Sequence, residues 1–202
     1  MIRIPRLPWD EFFMLHAHLA ATRSTCDHGP ELLFDPGRKG VGSVFVRENR
    51  VVAGGYNGSP PGEPHCSDPL KCFDCGEEFE PRAALEDGDP CPECGPDHPV
   101  RGGHLLIDGH CVRTLHAEEN ALLQCAIDGV SARGATVYTT ASTCYDCAKR
   151  LVRAGVARVC FGVAYGSRYG LSGDALDLLR RAEIRVELVD VSEFVRGPLF
   201  TF

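Results

Sequence analysis

The sequence predicts a three-layer α/β/α sandwich around a mixed five-stranded sheet. Three observations lead to this fold. Two β-branched runs, 41–47 and 50–56, flank Glu48-Asn49 as a hairpin. From 115 to 189, helical and strand-like periodicities alternate. The last strand follows a helix, and a crossover of that kind sets it parallel to its neighbour. An antiparallel hairpin joined to crossover units makes the sheet mixed.

The chain has 202 residues, of which 44% are hydrophobic, enough for one substantial core and a small added module. No apolar run approaches the ~20 residues that span a bilayer. The opening Met1-Ile2-Arg3-Ile4-Pro5-Arg6 runs into Asp10 and Glu11 without the apolar region of a signal peptide, so a cytoplasmic location is expected. A net charge of −7 argues against a nucleic-acid surface, which needs clustered Lys and Arg. A small anionic substrate needs only one or two local cations. Eleven cysteines, several in C-x2-C pairs and with no export signal ahead of them, point to metal ligation rather than disulfides.

Taken in order, Trp9 to about Thr22 carries Trp9, Phe12, Phe13, Leu15, Leu19 and Ala20 at helical spacing. His16 and His18 lie on it without partner spacing and read as ordinary helix positions. Residues 27–40 are rich in Gly, Pro and charge and are expected to be a loop. After the hairpin, Asn57-Gly58-Ser59-Pro60-Pro61-Gly62 supplies turn residues. Residues 63–112 have little apolar periodicity and many Pro, Gly, Cys and His. They are expected to form a metal-bound insertion within one domain covering 1–202, with too little apolar matter for a core of their own. Then come a helix at 116–127 stopped by Gly129, a strand at 135–140, a helix at 144–154 ending at Gly155 and a strand at 158–164. A helix at 174–182 and a strand at 184–189 follow. Cys125 and Cys160 lie on apolar faces as small core residues. The tail, with Phe194, Leu199, Phe200 and Phe202, is expected to pack on the body or on a neighbouring subunit.

The chemistry centres on His116-Ala117-Glu118 and Cys144-Tyr145-Asp146-Cys147. One His and two Cys thiolates supply the three protein ligands of a catalytic zinc, which keeps its fourth position for water. The two cysteines stand at i and i+3 at a helix start, where they face one way and the helix dipole favours thiolates. Zinc can lower the pKa of its water to ~7, and Glu118 is placed to move the protons. A purely structural four-ligand zinc would instead leave Glu118 as a solvated helix residue.

H-x-E followed by C-x-x-C resembles the signature of the zinc-dependent nucleoside and nucleotide deaminases. The resemblance is closer to the deoxycytidylate (dCMP) deaminases, including the late-competence operon deaminase-like branch. It is carried by Arg23-Ser24-Thr25-Cys26, by Gly55-Tyr56-Asn57-Gly58-Ser59-Pro60, by 109–118 through His116-Ala117-Glu118, and by 134–140. It covers most of the chain apart from 27–40 and about 67–103, and it implies the cytidine deaminase-like form of the sandwich. The implied reaction is hydrolysis at C4 of the cytosine ring of dCMP, giving dUMP and ammonia, with Glu118 protonating N3 and then the leaving amine. By the same resemblance Asn57 contacts the sugar and the backbone at Ala117 contacts the base. Asn57 also reads as a turn residue before Gly58. The family usually has Pro before the first Cys of the pair. Thr143 stands there instead, and is expected to serve as a helix N-cap.

Two further metal sites are expected. Cys72, Cys75, Cys91 and Cys94 form C-x2-C-x15-C-x2-C, the spacing of a zinc ribbon, with Gly76 and Gly95 following the two pairs. The ribbon staples the insertion, or else acts as a lid or an oligomer contact. The resemblance implies another structural zinc on Cys26 and Cys66, which Cys111 with His104 or His110 would complete.

For a nucleotide phosphate the candidates are Arg113, Arg168 and Lys149. Tyr165 and Tyr169 accompany Arg168 after a strand C-terminus, where α/β sheets tend to bind ligands. Two other readings stand beside dCMP: a deaminase of another or modified nucleotide base, and an editing deaminase whose ribbon grips nucleic acid. The second is disfavoured because the segment from Asp68 to Asp97 is strongly acidic, with Lys71 and Arg82 as its cations. The resemblance also implies a homo-oligomer, hexamer or dimer, and dCTP and dTTP as effectors.

Overall fold

The computed structural model describes residues 6–79, 85–107, 110–166 and 172–193. The aromatic tail from Phe194 lies outside them. The chain falls into two compact units. The first holds Met1–Ser24, Gly29–Asn57 and His116–Phe202, and the second holds Thr25–His28 and Gly58–Leu115.

In the first unit the elements are α1 (Trp9–Ala21), β1 (Gly42–Arg47), β2 (Arg50–Tyr56), α2 (Ala117–Ile127), β3 (Thr136–Ala141), α3 (Tyr145–Ala154), β4 (Arg158–Val163), α4 (Ser172–Arg181) and β5 (Arg185–Leu188). The five strands form one sheet in the order β5-β4-β3-β1-β2. The β1–β2 and β1–β3 pairs are antiparallel, whereas β3–β4 and β4–β5 are parallel, so the sheet is mixed as expected.

Strand alternation sorts the core into two layers. Val44, Val46, Tyr138 and Cys160 face α1 and pack on Phe13, Met14 and Ala17. Their neighbours Phe45, Val137 and Val159 point to the opposite side. There they meet Ala121 and Cys125 of α2, Ala148 and Leu151 of α3, and Ala175 and Leu179 of α4. Cys125 and Cys160 are therefore core residues, as their apolar faces predicted. Asp10 near the start of α1 takes two 2.7 Å contacts from the Arg158 guanidinium and a 2.6 Å hydrogen bond from Tyr138. This ties α1 to β3 and β4.

Residues 27–40 correct the sequence reading. They contain a short antiparallel ribbon, Glu31–Leu32 against Asp35–Lys39. Leu32 is its only buried apolar side chain, so no alternating pattern marked it as β.

In the second unit, Leu70–Cys72 pairs with Glu78–Phe79 and with Gly95–Arg101, which also pairs with Pro90–Cys91. The core here is small: Leu70, Val100, Cys72 and Cys91 are buried, with Phe79, Leu85 and Cys94 packed on them. Among the described residues, no helix is long and apolar enough to cross a membrane.

Candidate metal and catalytic site

Two helix starts build the site. His116 is the N-cap of α2 and Cys144 the N-cap of α3. The Cys144 sulfur accepts the Cys147 backbone N–H at 3.4 Å, so it takes the capping role expected of Thr143. The His116 Nδ1 lies 3.3 Å from the Cys144 sulfur and 3.5 Å from the Cys147 sulfur. A tetrahedral zinc with Zn–S of about 2.3 Å and Zn–N of about 2.0 Å has N–S edges of about 3.5 Å. The donor set and its spacing therefore fit zinc.

These donors share protons. Bonding to Cys147, and then to His116, holds the Cys144 thiol down to about 4, while the His116 imidazole is pushed up to about 9, mainly by Cys144. Cys147 is driven well above the ordinary thiol range by its bond to Cys144. Metal binding needs both thiolates and a neutral imidazole, so it displaces these protons.

Glu118, in the first turn of α2, is buried at 4% exposure and is not a solvated helix residue. Burial pushes its carboxyl up, and nearby His116 opposes that shift. The Thr139 hydroxyl on β3 stands 3.5 Å from the Glu118 carboxylate. Thr143, fully buried in the position where the family's signature has Pro, has its hydroxyl 3.5 Å from the Cys144 carbonyl, and its side chain also acts to lower the Glu118 carboxyl. The sequence offered no pairing signal for Thr139.

Asn57 is buried at the end of β2. Its Oδ1 accepts a 2.6 Å hydrogen bond from the Ser24 hydroxyl and a 2.7 Å bond from the Val41 N–H. Those two donors fix which way the amide faces. Ser24 escaped the sequence reading, although it lies in the Arg23-Ser24-Thr25-Cys26 segment. Asn120 of α2 donates to the Tyr56 carbonyl at 2.7 Å, linking β2 to the helix that carries Glu118. Ala117 is fully buried.

The phosphate candidates separate. Tyr165 follows β4, with its backbone N–H donating to Ser142 Oγ at 2.9 Å and its carbonyl accepting from the same hydroxyl at 3.1 Å. Arg168 and Tyr169 lie outside the described residues. Lys149 is paired with Asp146 at 2.6 Å. Arg113 is corrected: its side chain is 3% exposed and is held in the second unit by Glu63 at 2.7 Å and Asp87 at 2.6 Å. Those carboxylates already neutralise it, which removes it from the phosphate candidates.

In the second unit, Cys26, Cys66, His104 and Cys111 bring their donor atoms within 4.8 Å of one another, as do Cys72, Cys75, Cys91 and Cys94. His104, rather than His110, joins the first group. A third set, Cys26, Asp27, His28 and His104, overlaps it, and the sequence reading missed its Asp27 and His28. His16 and His18 belong to no such group among the described residues; His16 bonds the Phe12 carbonyl at 2.9 Å, and burial pulls the His18 imidazole down to about 4.

Comparison with known proteins places this arrangement. The model of the cytidine and deoxycytidylate deaminase zinc-binding region matches residues 7–163. ComE operon protein 2 of Bacillus subtilis (strain 168) is 34% identical over 190 residues, covering 94% of this chain and 76% of the relative. The deoxycytidylate deaminase of Saccharomyces cerevisiae is 33% identical over 193 residues, or 96% of this chain, but the chain spans only 48% of that relative's length. The crystal structure of dCMP deaminase from the cyanophage S-TIM5 in complex with dCMP and dUMP has the same fold, with a TM-score of 0.59 at 24% identity over 92% of this chain and 100% of that one. A zinc-binding model that matches well over half of the sequence, including both helix starts that bear the His and Cys donors, shows that the chain belongs to the cytidine and deoxycytidylate deaminase family.

Proposed function

We propose that the protein hydrolyses dCMP to dUMP and ammonia, with His116, Cys144 and Cys147 holding the catalytic zinc and Glu118 carrying the protons. The observation that supports this most directly is Glu118 itself, a buried carboxylate next to a His-Cys-Cys set spaced for zinc. Zinc held there supplies Lewis acidity and lowers the pKa of its water. Glu118 takes the proton of the attacking water and delivers it to N3 of the pyrimidine; it then takes the proton of the new C4 hydroxyl and passes it to the C4 amine, which departs as ammonia as the C4–N bond breaks and the C4 carbonyl forms. The bond from Thr139 keeps its carboxylate aimed during both transfers. The name deoxycytidylate deaminase recurs among relatives from yeast and from Mycobacterium phage D29, and the cyanophage complex is with dCMP and dUMP. These favour a free deoxynucleotide as substrate.

Asn57, oriented by Ser24 and Val41, and the Ala117 backbone are the proposed sugar and base contacts, with Tyr165 and Arg168 near the phosphate. Two structural zinc ions accompany the catalytic one in this reading. One sits on Cys26, Cys66, His104 and Cys111, and the other on the four ribbon cysteines. All eleven cysteines are free thiols grouped for metal or buried in the core, which suits a reducing compartment such as the cytoplasm.

The test is product analysis with dCMP, deoxycytidine and cytidine as separate substrates, with Glu118→Gln alongside. Conversion of dCMP, lowered by about 10²–10⁴ in the variant, is expected. Conversion of the nucleosides but not of dCMP would overturn the nucleotide assignment.

A further inference from the structure

The inserted ribbon brings together four sulfurs and one buried ion pair, and the two belong to one device. Cys72 and Cys75 come from the turn after Leu70–Cys72, and Cys91 and Cys94 from the turn after Pro90–Cys91. The Cys72 and Cys94 sulfurs are 3.8 Å apart, as are those of Cys75 and Cys91. A ZnS4 tetrahedron with bonds of about 2.3 Å has S–S edges of about 3.8 Å. A disulfide needs about 2.0 Å. Gly76 and Gly95, directly after the second Cys of each pair, have φ of 79° and 96°. Each turn thus uses a conformation that favours glycine, and uses it at the same place relative to its sulfurs. Leu70 and Val100 are the buried aliphatics of this core, and cysteines are its other buried members. Two aliphatic side chains do not hold such a module without a staple.

Asp87 lies on the loop that leads into the second turn. Its place is fixed by bonds on either side: Glu86 N–H to the Asp89 carboxylate at 2.7 Å before it, and after it Gly88 N–H to the Val100 carbonyl and Val100 N–H to the Asp89 carbonyl, each 2.9 Å. From there Asp87, with a side chain 5% exposed, accepts the Gly102 N–H at 2.9 Å and stands 2.6 Å from the Arg113 guanidinium. Arg113 also donates to the Gly103 carbonyl at 3.1 Å and to Glu63 at 2.7 Å. A buried guanidinium needs its counter-ion in place before its segment can settle.

We infer that Cys72, Cys75, Cys91 and Cys94 bind one zinc ion as a tetrathiolate, and that the ribbon folded on it clamps the segment around Arg113 through Asp87. The insertion is then a metal-dependent part of the second unit's own architecture. This inference does not depend on which base is deaminated, because its readouts are metal content and backbone protection.

The experiment compares full-length wild type, Cys91→Ser/Cys94→Ser and Asp87→Asn. It measures zinc per chain by mass spectrometry, the visible spectrum after cobalt(II) substitution, and hydrogen exchange around Gly103 and Arg113. The double variant is expected to lose one zinc equivalent and the tetrathiolate cobalt absorption, and to exchange faster in that segment. Asp87→Asn is expected to keep the full zinc content and the tetrathiolate spectrum, yet show the same faster exchange. A wild-type cobalt spectrum without a tetrathiolate component overturns the metal site even if the double variant fails to fold. Unchanged exchange in Asp87→Asn overturns the clamp.

Discussion

Gly55 of β2 lies against the first turn of α2 so closely that a Cβ there would fall 2.3 Å from the Ala117 carbonyl oxygen and 2.5 Å from the Ala121 nitrogen. Both atoms are helix backbone, so neither can swing aside. Ala117 stands between His116 and Glu118, so the approach of β2 sets where the turn bearing these two proposed site residues rests. Gly55→Ala is expected to push α2 away from the sheet, at a cost of about 1–3 kcal/mol. Thermal unfolding and deamination rate should fall together. A variant with wild-type stability would mean that α2 has slack against β2.

Ser24→Ala removes one of the two donors that orient the Asn57 amide, while Val41 N–H keeps the other. The expected stability loss is about 1 kcal/mol, the ordinary net value of such a bond. Because Asn57 is proposed to touch substrate and not to move protons, KM for dCMP should rise more than kcat falls. Ser24→Thr should restore part of the loss. An equal fall in kcat with KM unchanged would place Asn57 in the chemical step instead.

The Arg158 guanidinium, beside Asp10, holds that carboxyl below its ordinary value of 3.8. A carboxyl depressed in the folded state contributes stability that is complete above its unfolded pKa and is lost as pH falls through the folded one. The bond between α1 and the β3–β4 pair should therefore weaken only in acid. Asp10→Asn is expected to lower stability at neutral pH and to flatten the acid limb of the stability profile. Urea unfolding at a series of pH values reads this out, and a profile parallel to wild type would rule out Asp10 as a contributor.

Much of this was legible in the sequence because the determinants are local. The β-branched runs at 41–47 and 50–56 and the alternation of helix and strand from 115 onward carry their period in the residues themselves, and the structure has those elements. Cys-x2-Cys and His-x-Glu encode their geometry in their own spacing. What stayed hidden depends on residues distant in the chain. Arg113 read as a free cation because nothing near it in sequence announces Glu63 or Asp87. Thr143 read as a cap, yet Cys144 caps α3 and Thr143 is buried, where its side chain helps hold down the carboxyl of Glu118 on another helix. The ribbon at 31–39 was missed because a solvated edge pair needs no apolar face.

The second unit holds one more such partnership. His104 turns Nδ1 toward the Cys26 sulfur, 3.9 Å away, and places Nε2 2.9 Å from the Asp27 carboxylate. A metal-ligating histidine commonly gives its second ring nitrogen to a carboxylate, which fixes the tautomer and raises ligand basicity. His28 is the competing donor, with Nδ1 3.7 Å from the same sulfur and 3.6 Å from Asp27. Asp27→Asn should weaken one of the zinc sites about 10–100-fold in competition with a chromophoric chelator, the usual effect of removing such a carboxylate. His28→Ala should leave that affinity near wild type. The opposite pattern, with His28→Ala releasing zinc and Asp27→Asn holding it, would make His28 the ligand and leave His104 as a neighbour.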